Sequence, residues 1–242
     1  MAEAANRIPE PPSEGDNSIL HDLLRGYRFS LCADAESAAR ALAVRRQVYV
    51  DGVGYSVPVP DEYDHRSWLL LAEDMTTGQA VGTMRLTPRL AGPLECEEYF
   101  QLPARLQSPR SVELNRFAIL PEYRKGKTFL PAVSVGLFKL VYDFLRRTGA
   151  HYMVVASKPE RTWTYRWLSY ESTGQTARYE KLAGAEHELL WQDFRHSAET
   201  AAAHPFHEIF LGTYPEVVLP RRTPRLGLAG GPQEPLRLAM GA

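Results

Sequence analysis

The order of apolar and polar residues predicts a β-then-α start to the folded part of the chain. Residues 26–33, GYRFSLCA, alternate as a half-buried strand does, and residues 34–50, DAESAARALAVRRQVYV, are rich in helix formers with Asp34 at the N-cap position. Residues 51–64 hold two glycines and two prolines, so the helix cannot continue through them and a loop is expected. The apolar runs on either side of a TTGQ turn, within residues 67–90, predict a β-hairpin.

A strand–helix–strand unit is predicted in the second half of the chain. Residues 111–120, SVELNRFAIL, read as a strand. A helix is predicted over 129–147, because its apolar residues recur at three- and four-residue steps and Gly149 can close it. Residues 151–157, HYMVVAS, are typical of a buried strand. The later segments are expected to form a helix over 161–170 and strands over 187–194 and 207–213.

The length of the chain suits one domain. Its 242 residues fall within the range of about 200 to 250 residues in which single domains still occur. The domain is expected over 26–219, between an N-terminal arm, 1–25, and a Pro/Gly-rich tail, 220–242, both disordered. The N-terminus lacks the basic and apolar regions of a secretory signal, and the longest apolar stretch, 129–145, contains two charged residues. We therefore expect a cytoplasmic protein with no membrane segment.

Charge and cysteine content exclude several kinds of partner. The formal net charge is −1 and the isoelectric point about 6.7, so the chain lacks the positive field that attracts nucleic acid. Cys32 and Cys96 are far apart and have no zinc-site spacing, so neither a disulfide framework nor a zinc site is expected. His204 and His207 are three residues apart, but no further ligands cluster with them, and we expect no metal.

Basic residues stand where the loop after strand 111–120 enters the next helix. They are Arg124, Lys125 and Lys127, around Gly126. A helix N-terminus presents unpaired N–H groups and a partial positive charge, so this loop is a candidate site for a phosphate or pyrophosphate. A single glycine is weak support, and an ordinary basic surface loop explains the same residues as well.

The order of strand, basic loop, helix and strand resembles the GNAT acyltransferase superfamily. This resemblance implies an α/β (α+β) fold with a central mixed, mostly antiparallel twisted sheet, flanking helices and a V-shaped opening between strands 4 and 5. It also implies that the loop binds the pantetheine phosphate of an acyl donor. The loop departs from the usual Arg/Gln-x-x-Gly-x-Gly/Ala pattern, since Lys125, Lys127 and Thr128 surround Gly126.

Several motifs between residues 26 and 160, taken in their order along the chain, resemble one branch of this superfamily. The segments RRQVYVDGVGY, DEYD, GTMRLTP, LECEEYFQLP and SVELNRFAI look like the branch that holds the acyl-homoserine-lactone autoinducer synthases and the long-chain N-acyl amino acid synthases of the FeeM type. The motif positions of that branch fall on Arg45, Tyr49, Tyr55, Asp61, Asp64, Arg85, Glu113 and Arg116. The resemblance implies that the last two are catalytic and that the other six bind substrate.

The chemistry of amide formation suggests roles for the charged residues. An acyl thioester reacts with a neutral amine held against its carbonyl, and the reaction needs a base and donors for the oxyanion. We expect Asp61 and Asp64 to hold the ammonium group of an amino acid, and Arg45 or Arg85 to pair with its carboxylate. Taken singly, each arginine is also explained as a surface ion-pair residue and each tyrosine as a core aromatic.

Glu113 is the expected base, or the residue that orients it, acting directly or through a water. Strict alternation along the strand places Glu113, Asn115 and Phe117 on one face and Arg116 on the other. The family's fourth strand usually carries a bulge, which changes this facing. The sequence therefore leaves open whether Glu113 and Arg116 share a site.

The motifs together predict an N-acyltransferase. It would move a long-chain fatty acyl group from acyl carrier protein, or from acyl-CoA, to the α-amine of an amino acid, with no permanently bound cofactor. One alternative is an autoinducer synthase that acylates S-adenosylmethionine. Many of those enzymes have tryptophan where this chain has Tyr55, and the motif DEYDHRSW favours the amino acid synthases. A second alternative is a non-catalytic domain that binds acyl carrier protein.

Overall fold

The computed structural model describes residues 18–125, 131–204 and 207–226. The helices in these ranges are α1 (Ser18–Leu24), α2 (Ala35–Arg46), α3 (Ala132–Thr148), α4 (Thr162–Trp167), α5 (Ser197–Ala203) and α6 (His207–Leu211). The strands are β1 (Tyr27–Leu31), β2 (Trp68–Asp74), β3 (Gln79–Pro88), β4 (Ser111–Ile119), β5 (Tyr152–Ser157), β6 (Glu171–Tyr179), β7 (Ala185–Asp193) and β8 (Val217–Val218). A π-helix, Gln47–Gly52, continues α2.

One eight-stranded sheet, in the order β6-β7-β5-β4-β3-β2-β1-β8, forms the centre of the fold. Neighbouring strands are antiparallel except for β4 with β5 and β1 with β8. This confirms the predicted mixed, mostly antiparallel sheet. The β4–β5 pairing extends only from Ser111 to Glu113, although β4 continues to Ile119. The two strands therefore separate after Glu113, and this separation forms the expected V-shaped opening.

Burial on both faces of the sheet explains the continuous apolar run of β2. Leu70 belongs to the large core cluster that includes α3, whereas Leu69 and Leu71 pack with the alanines of α2. On the α3 side the layers approach closely, since a Cβ added at Gly136 would lie 2.1 Å from the ring of Phe29. The two helices thus cover opposite faces of the sheet, and a strand between them is apolar at successive positions.

Both predicted helix caps are confirmed. The side chain of Asp34 accepts the backbone N–H of Ser37 at 2.8 Å, which satisfies one of the free donors at the start of α2. Gly149 follows α3 with a φ of 71°, a left-handed conformation that glycine adopts without a Cβ penalty. These local signals mark the start of α2 and the end of α3, the two helices that cover the sheet.

Two late segments differ from the prediction. Residues 207–213 were expected as a strand, which is wrong, because α6 forms there and buries Ile209 and Phe210. A short apolar run does not by itself distinguish a strand from a buried helix. Strand β6 was not predicted, because its sequence, ESTGQTARY, is polar and most of its side chains are at least partly exposed at the sheet edge.

Parts of the two expected disordered ends are ordered. Helix α1 lies within the expected N-terminal arm and buries Leu24 in the main core cluster. In the expected tail, Leu226 is buried and donates its backbone N–H to the last carbonyl oxygen of α3 at 2.8 Å. The other residues of the expected arm and tail, 1–17 and 227–242, lie outside the described residues, and their disorder stays a prediction. None of the described helices is both long and apolar enough to cross a membrane.

The packing of α1 can be tested by truncating its buried leucine. Leu24→Ala should lower the free energy of unfolding by about 2–5 kcal/mol, because it leaves a cavity in the core. Asp22→Ala, at an exposed position of the same helix, is the matched control and should change this free energy by less than about 0.5 kcal/mol. Urea denaturation measures both values. Equal, small effects of the two variants would show that α1 does not pack on the core.

Candidate active site

A bulge in β4 turns Arg116 toward Glu113. The register between β3 and β4 shifts opposite this point, and Arg116 has a φ of 53°, in the left-handed region. Arg116 and Asn115 both donate hydrogen bonds to the carboxylate of Glu95. The backbone N–H of Glu95 in turn donates to the carboxylate of Glu113. Glu113 and Arg116 therefore lie in one site, a question that alternation along the strand left open.

The two aspartates ahead of β2 bind arginines from α2, β3 and β4. Asp64 forms a bidentate pair with Arg45, with both N–O distances 2.8 Å, and lies 3.2 Å from Arg85. Asp61 accepts hydrogen bonds from Arg85 and from Nε of Arg116, the latter at 2.9 Å, and lies 3.6 Å from Arg45. The acidic loop is thus tied to three separate elements of the fold.

Glu95 supplies a third buried carboxylate. It accepts hydrogen bonds from Arg85, from Nη2 of Arg116 at 2.5 Å and from Nδ2 of Asn115 at 3.0 Å. Three arginines and three carboxylates balance formally, and each buried charge has partners that offset the cost of its desolvation. We call this group the arginine–carboxylate cluster; its members are Arg45, Arg85, Arg116, Asp61, Asp64 and Glu95.

The neighbouring charges favour the ionised forms of Asp61 and Arg116. Burial alone raises the pKa of Asp61, but the charges of Arg85, Arg116 and Arg45 outweigh it and hold this pKa below its usual value. Burial lowers the pKa of Arg116, and the adjacent Glu95 and Asp61 reverse this, so the net shift of its pKa is upward. The aspartates that were expected to hold a substrate ammonium group are therefore already paired with arginine side chains.

Glu113 lies beside the cluster, and its pKa is shifted in the direction opposite to that of Asp61. Its two carboxylate oxygens accept the backbone N–H groups of Glu95, at 2.8 Å, and Cys96, at 3.1 Å. Burial, followed by repulsion from Glu95, raises the pKa of Glu113 to about 7. A carboxyl group that titrates near neutral pH is suited to exchange a proton with a substrate.

A cavity of about 530 Å³ lies where β4 and β5 separate. Its volume is within the usual range of small-molecule sites. The polar part of its lining includes Glu95, Glu113, Asn115, Arg116, Ser157 and Lys158. The apolar part includes Val48, Val53, Phe117, Phe138, Val155 and Tyr165. The cavity thus combines the titrating carboxyl group with an apolar wall.

A sequence model of the family described as N-acyl amino acid synthase FeeM matches residues 40–193. The chain belongs to this family. The matched range runs from within α2 to the end of β7, so it includes the whole arginine–carboxylate cluster and every described residue that lines the cavity. No curated protein sequence matched the chain.

Solved structures of enzymes with related activities share the fold. FeeM, an N-acyl amino acid synthase from uncultured soil microbes, has a TM-score of 0.61 at 14% identity, over 75% of this chain and 96% of that chain. BjaI, a CoA-dependent acyl-homoserine lactone synthase, has a TM-score of 0.61 at 18% identity, over 83% and 96%. MesI, another CoA-dependent acyl-homoserine lactone synthase, has a TM-score of 0.57 at 18% identity, over 81% and 100%.

These findings confirm the predicted family resemblance and the GNAT-like fold. The identities to the solved structures are low and establish the fold, while the family match establishes the kind of reaction. The chain is an acyltransferase that transfers an acyl group to an amine.

The motif residues separate into two groups in the structure. Those that line the cavity are Tyr49, Tyr55, Glu113, Arg116 and Arg124. Those that belong to the cluster without lining the cavity are Arg45, Asp61, Asp64 and Arg85. Their contacts support a structural role, and direct substrate binding by them stays a prediction. In the basic loop that was expected to bind the donor phosphate, Lys125 is exposed and does not line the cavity. Gly126 and Lys127 lie outside the described residues, so donor binding by this loop stays a prediction.

Four further cavity residues were not singled out from the sequence. Glu95 stands in the acid-rich segment LECEEYF, but its role depends on residues that are distant in sequence. Asn115 and Lys158 lie on β4 and directly after β5, so the strand pattern alone places them near the opening. Tyr179 lines the cavity. Its hydroxyl is buried and has no hydrogen-bond partner among the described residues. Its strand was not predicted.

A structural role of the cluster predicts a large loss of stability when one partner is removed. Arg45→Met should lower the free energy of unfolding by about 3–5 kcal/mol, because Asp64 is left buried without its bidentate partner. The double variant Arg45→Met/Asp64→Leu should recover part of this loss. Chemical denaturation of the two variants and the parent protein gives the values.

The pair between the exposed Arg166 and the partly buried Glu188 provides the control for this experiment. Arg166→Met should cost less than about 1 kcal/mol, since exposed salt bridges contribute little. If Arg45→Met left stability near that of the control and instead raised the KM for the acceptor, Arg45 would be a substrate ligand and the structural assignment would be wrong.

Proposed function

We propose that the chain transfers a long-chain fatty acyl group from acyl carrier protein, or from acyl-CoA, to the α-amine of an amino acid. The observation that carries this proposal is the position of Glu113, a carboxyl group with a pKa of about 7 in the lining of a cavity that also has an apolar wall. An amine and an acyl chain need these two environments side by side. Membership in the N-acyl amino acid synthase family supports the choice of acceptor.

Glu113 acts as the base in the proposed reaction. The nitrogen of the neutral amine attacks the thioester carbonyl, the C–N bond forms, and the amine proton passes to the Glu113 carboxylate, directly or through a water. The C–S bond then breaks, and the leaving thiolate takes up a proton. The positive charges of Arg85 and Arg116 oppose the rise in the pKa of Glu113, so the carboxylate remains accessible at neutral pH.

The segment after the bulge is suited to face the reacting carbonyl. Phe117, Ala118 and Ile119 line the cavity, and Tyr49 donates its hydroxyl to the carbonyl oxygen of Phe117 at 3.0 Å. This bond holds the backbone of the segment in place. Backbone N–H groups held in this way are typical donors to an oxyanion.

The apolar wall is suited to the acyl chain of the donor. It combines side chains from the π-helix, α3 and α4, including Val48, Phe138 and Tyr165. Arg124 lines the cavity near the start of α3, where a phosphate of the donor would lie, and its Nε donates to the carbonyl oxygen of Ile119 at 2.7 Å. Acyl carrier protein is the favoured donor, with acyl-CoA as the second possibility.

The product identifies the function directly. Purified protein with palmitoyl acyl carrier protein or palmitoyl-CoA and a pool of the common amino acids should yield an N-palmitoyl amino acid, detected by mass spectrometry. Formation of an acyl-homoserine lactone from S-adenosylmethionine would assign the chain to the autoinducer synthases. Binding of the acyl carrier protein without any product would indicate the non-catalytic alternative.

The pKa of Glu113 predicts how turnover depends on pH. At saturating acceptor, turnover of the parent enzyme should rise through a pKa of about 7 as Glu113 loses its proton. Glu113→Gln should lower turnover by about 100-fold or more and abolish this step, because an amide cannot accept the proton. Near-normal turnover of a folded Glu113→Gln variant across pH 6–9 would exclude the role of base.

Stability provides an independent check of the same pKa. The folded-state pKa of Glu113 is above its unfolded value, so its contribution to stability is complete below pH 4.5 and is lost as pH rises through about 7. Raising the pH from 4.5 to 8 should therefore lower the free energy of unfolding of the parent protein relative to Glu113→Gln by up to about 3 kcal/mol. Gln itself loses one acceptor for the two backbone N–H groups, so the comparison uses the change with pH and not the absolute stability.

A further inference from the structure

Lys158 is a partly buried cation in the cavity whose closest polar partner is neutral. It follows β5 directly, its Nζ donates to the hydroxyl of Tyr55 at 2.5 Å, and it lies 5.2 Å from the centroid of the Tyr55 ring. In the described part of the chain it forms no salt bridge, although the exposed Glu160 also lines the cavity. An ammonium group has three donors, so Lys158 retains donors for a ligand while Tyr55 holds it in position.

The other cations of the cavity lining are engaged or exposed. Arg116 is held by Asp61 and Glu95 within the cluster. Arg124 and Arg161 are exposed to solvent, and Nε of Arg124 is bound to a backbone carbonyl. Arg45 and Arg85, which were expected to pair with the carboxylate of the substrate, do not line the cavity. Among the cations that do, Lys158 is the best placed to bind this carboxylate.

Lys158 and Glu113 line one cavity together with the rings of Tyr179 and His187. The centroids of these two rings are 4.4 Å apart. Burial, and after it the charge of Lys158, lowers the pKa of His187. Burial, followed by the charge of Glu113, raises the pKa of Tyr179. The lining of the cavity therefore contains both a carboxyl group and an ammonium group.

We propose that Nζ of Lys158 binds the carboxylate of the amino acid acceptor. This inference rests on the proposed function and names the residue that distinguishes an amino acid from a simple amine. The carboxyl group of Glu113 and the ammonium group of Lys158 in one cavity suit the two charged groups of an amino acid. Its amine then lies toward Glu113 and toward the hydroxyl of Tyr179, which has no hydrogen-bond partner among the described residues. A charge-assisted hydrogen bond to Nζ fixes the acceptor in this orientation.

The test compares acceptors with and without the carboxylate. The pair is the amino acid that gives most product in the pool experiment and the amine left when its carboxylate is removed, which for phenylalanine is 2-phenylethylamine. The parent enzyme should prefer the amino acid in kcat/KM by at least about tenfold. Lys158→Met should raise the KM for the amino acid by about tenfold or more and leave the amine unchanged, so that the preference disappears.

Three further variants make the result specific. Lys158→Arg keeps the charge and should retain most of the preference. Tyr55→Phe keeps the ring but removes the hydroxyl that holds Nζ, and should raise the KM for the amino acid a few-fold. Lys181→Met, the same substitution at a lysine that does not line the cavity, should behave as the parent enzyme. Circular dichroism and the KM for the donor, which should not change, are measured for every variant.

The possible failures are distinguishable. Equal losses with both acceptors, or a higher KM for the donor at an unchanged KM for the amino acid, would overturn the assignment of Lys158. Equal use of both acceptors by the parent enzyme would also overturn it, and amine acylation would still stand. If the parent enzyme acylated neither acceptor, the proposed function itself would be refuted, and this inference with it.

Discussion

The neutralisation of three arginines is the constraint on which this structure depends. A guanidinium group taken out of water costs several kcal/mol unless a carboxylate accepts its hydrogen bonds. Arg45 and Arg85 are almost fully buried, at 1% and 0% exposure, and reach their carboxylates only if α2, β3 and the loop before β2 adopt fixed relative positions. Arg116 adds β4 to this set. The cluster therefore joins segments that the hydrophobic core alone would hold with less precise geometry.

The bulge in β4 connects the neutralisation of the arginines to the position of the cavity. By turning Arg116 to the side of Glu113, it places a third arginine where Asp61 and Glu95 can neutralise it. The pairing of β4 with β5 ends at Glu113, so the cavity opens directly beside the neutralised cluster. Charge balance and the opening of the sheet thus occur at one position along the strand.

The site contains two kinds of carboxylate with different chemical properties. Asp61 is surrounded by arginines that keep its pKa low, so it serves as a fixed negative charge. Glu113 accepts hydrogen bonds from two backbone N–H groups. It is buried near the negative charge of Glu95, and its pKa is about 7. Environments that separate the pKa values of neighbouring carboxyl groups are a common basis for acid–base chemistry. This difference supports the proposal that Glu113 transfers the proton while Asp61 has a structural role.

Local sequence patterns determined most of the framework of this protein. The capping residues of α2 and α3, the apolar run of β2 and the hairpin were all readable because they depend on neighbouring residues or on a regular period. The ordered motifs also indicated the family and the importance of Asp61, Asp64, Glu113 and Arg116. Strand β6 and the helical form of residues 207–211 were not readable, because an edge position and a packing partner decided them.

The roles of the charged residues were decided by the tertiary structure. The sequence showed acids and arginines but not their pairing, because Asp61 contacts Arg116 across 55 positions of the chain. It also could not show that Arg116 faces Glu113, since one left-handed residue reverses the alternation of a strand. Lys158 is a candidate ligand because Tyr55 and the cavity lie beside it, and both contacts depend on the tertiary structure. Sequence period encodes which elements form, whereas the partner of each buried charge depends on how distant elements pack.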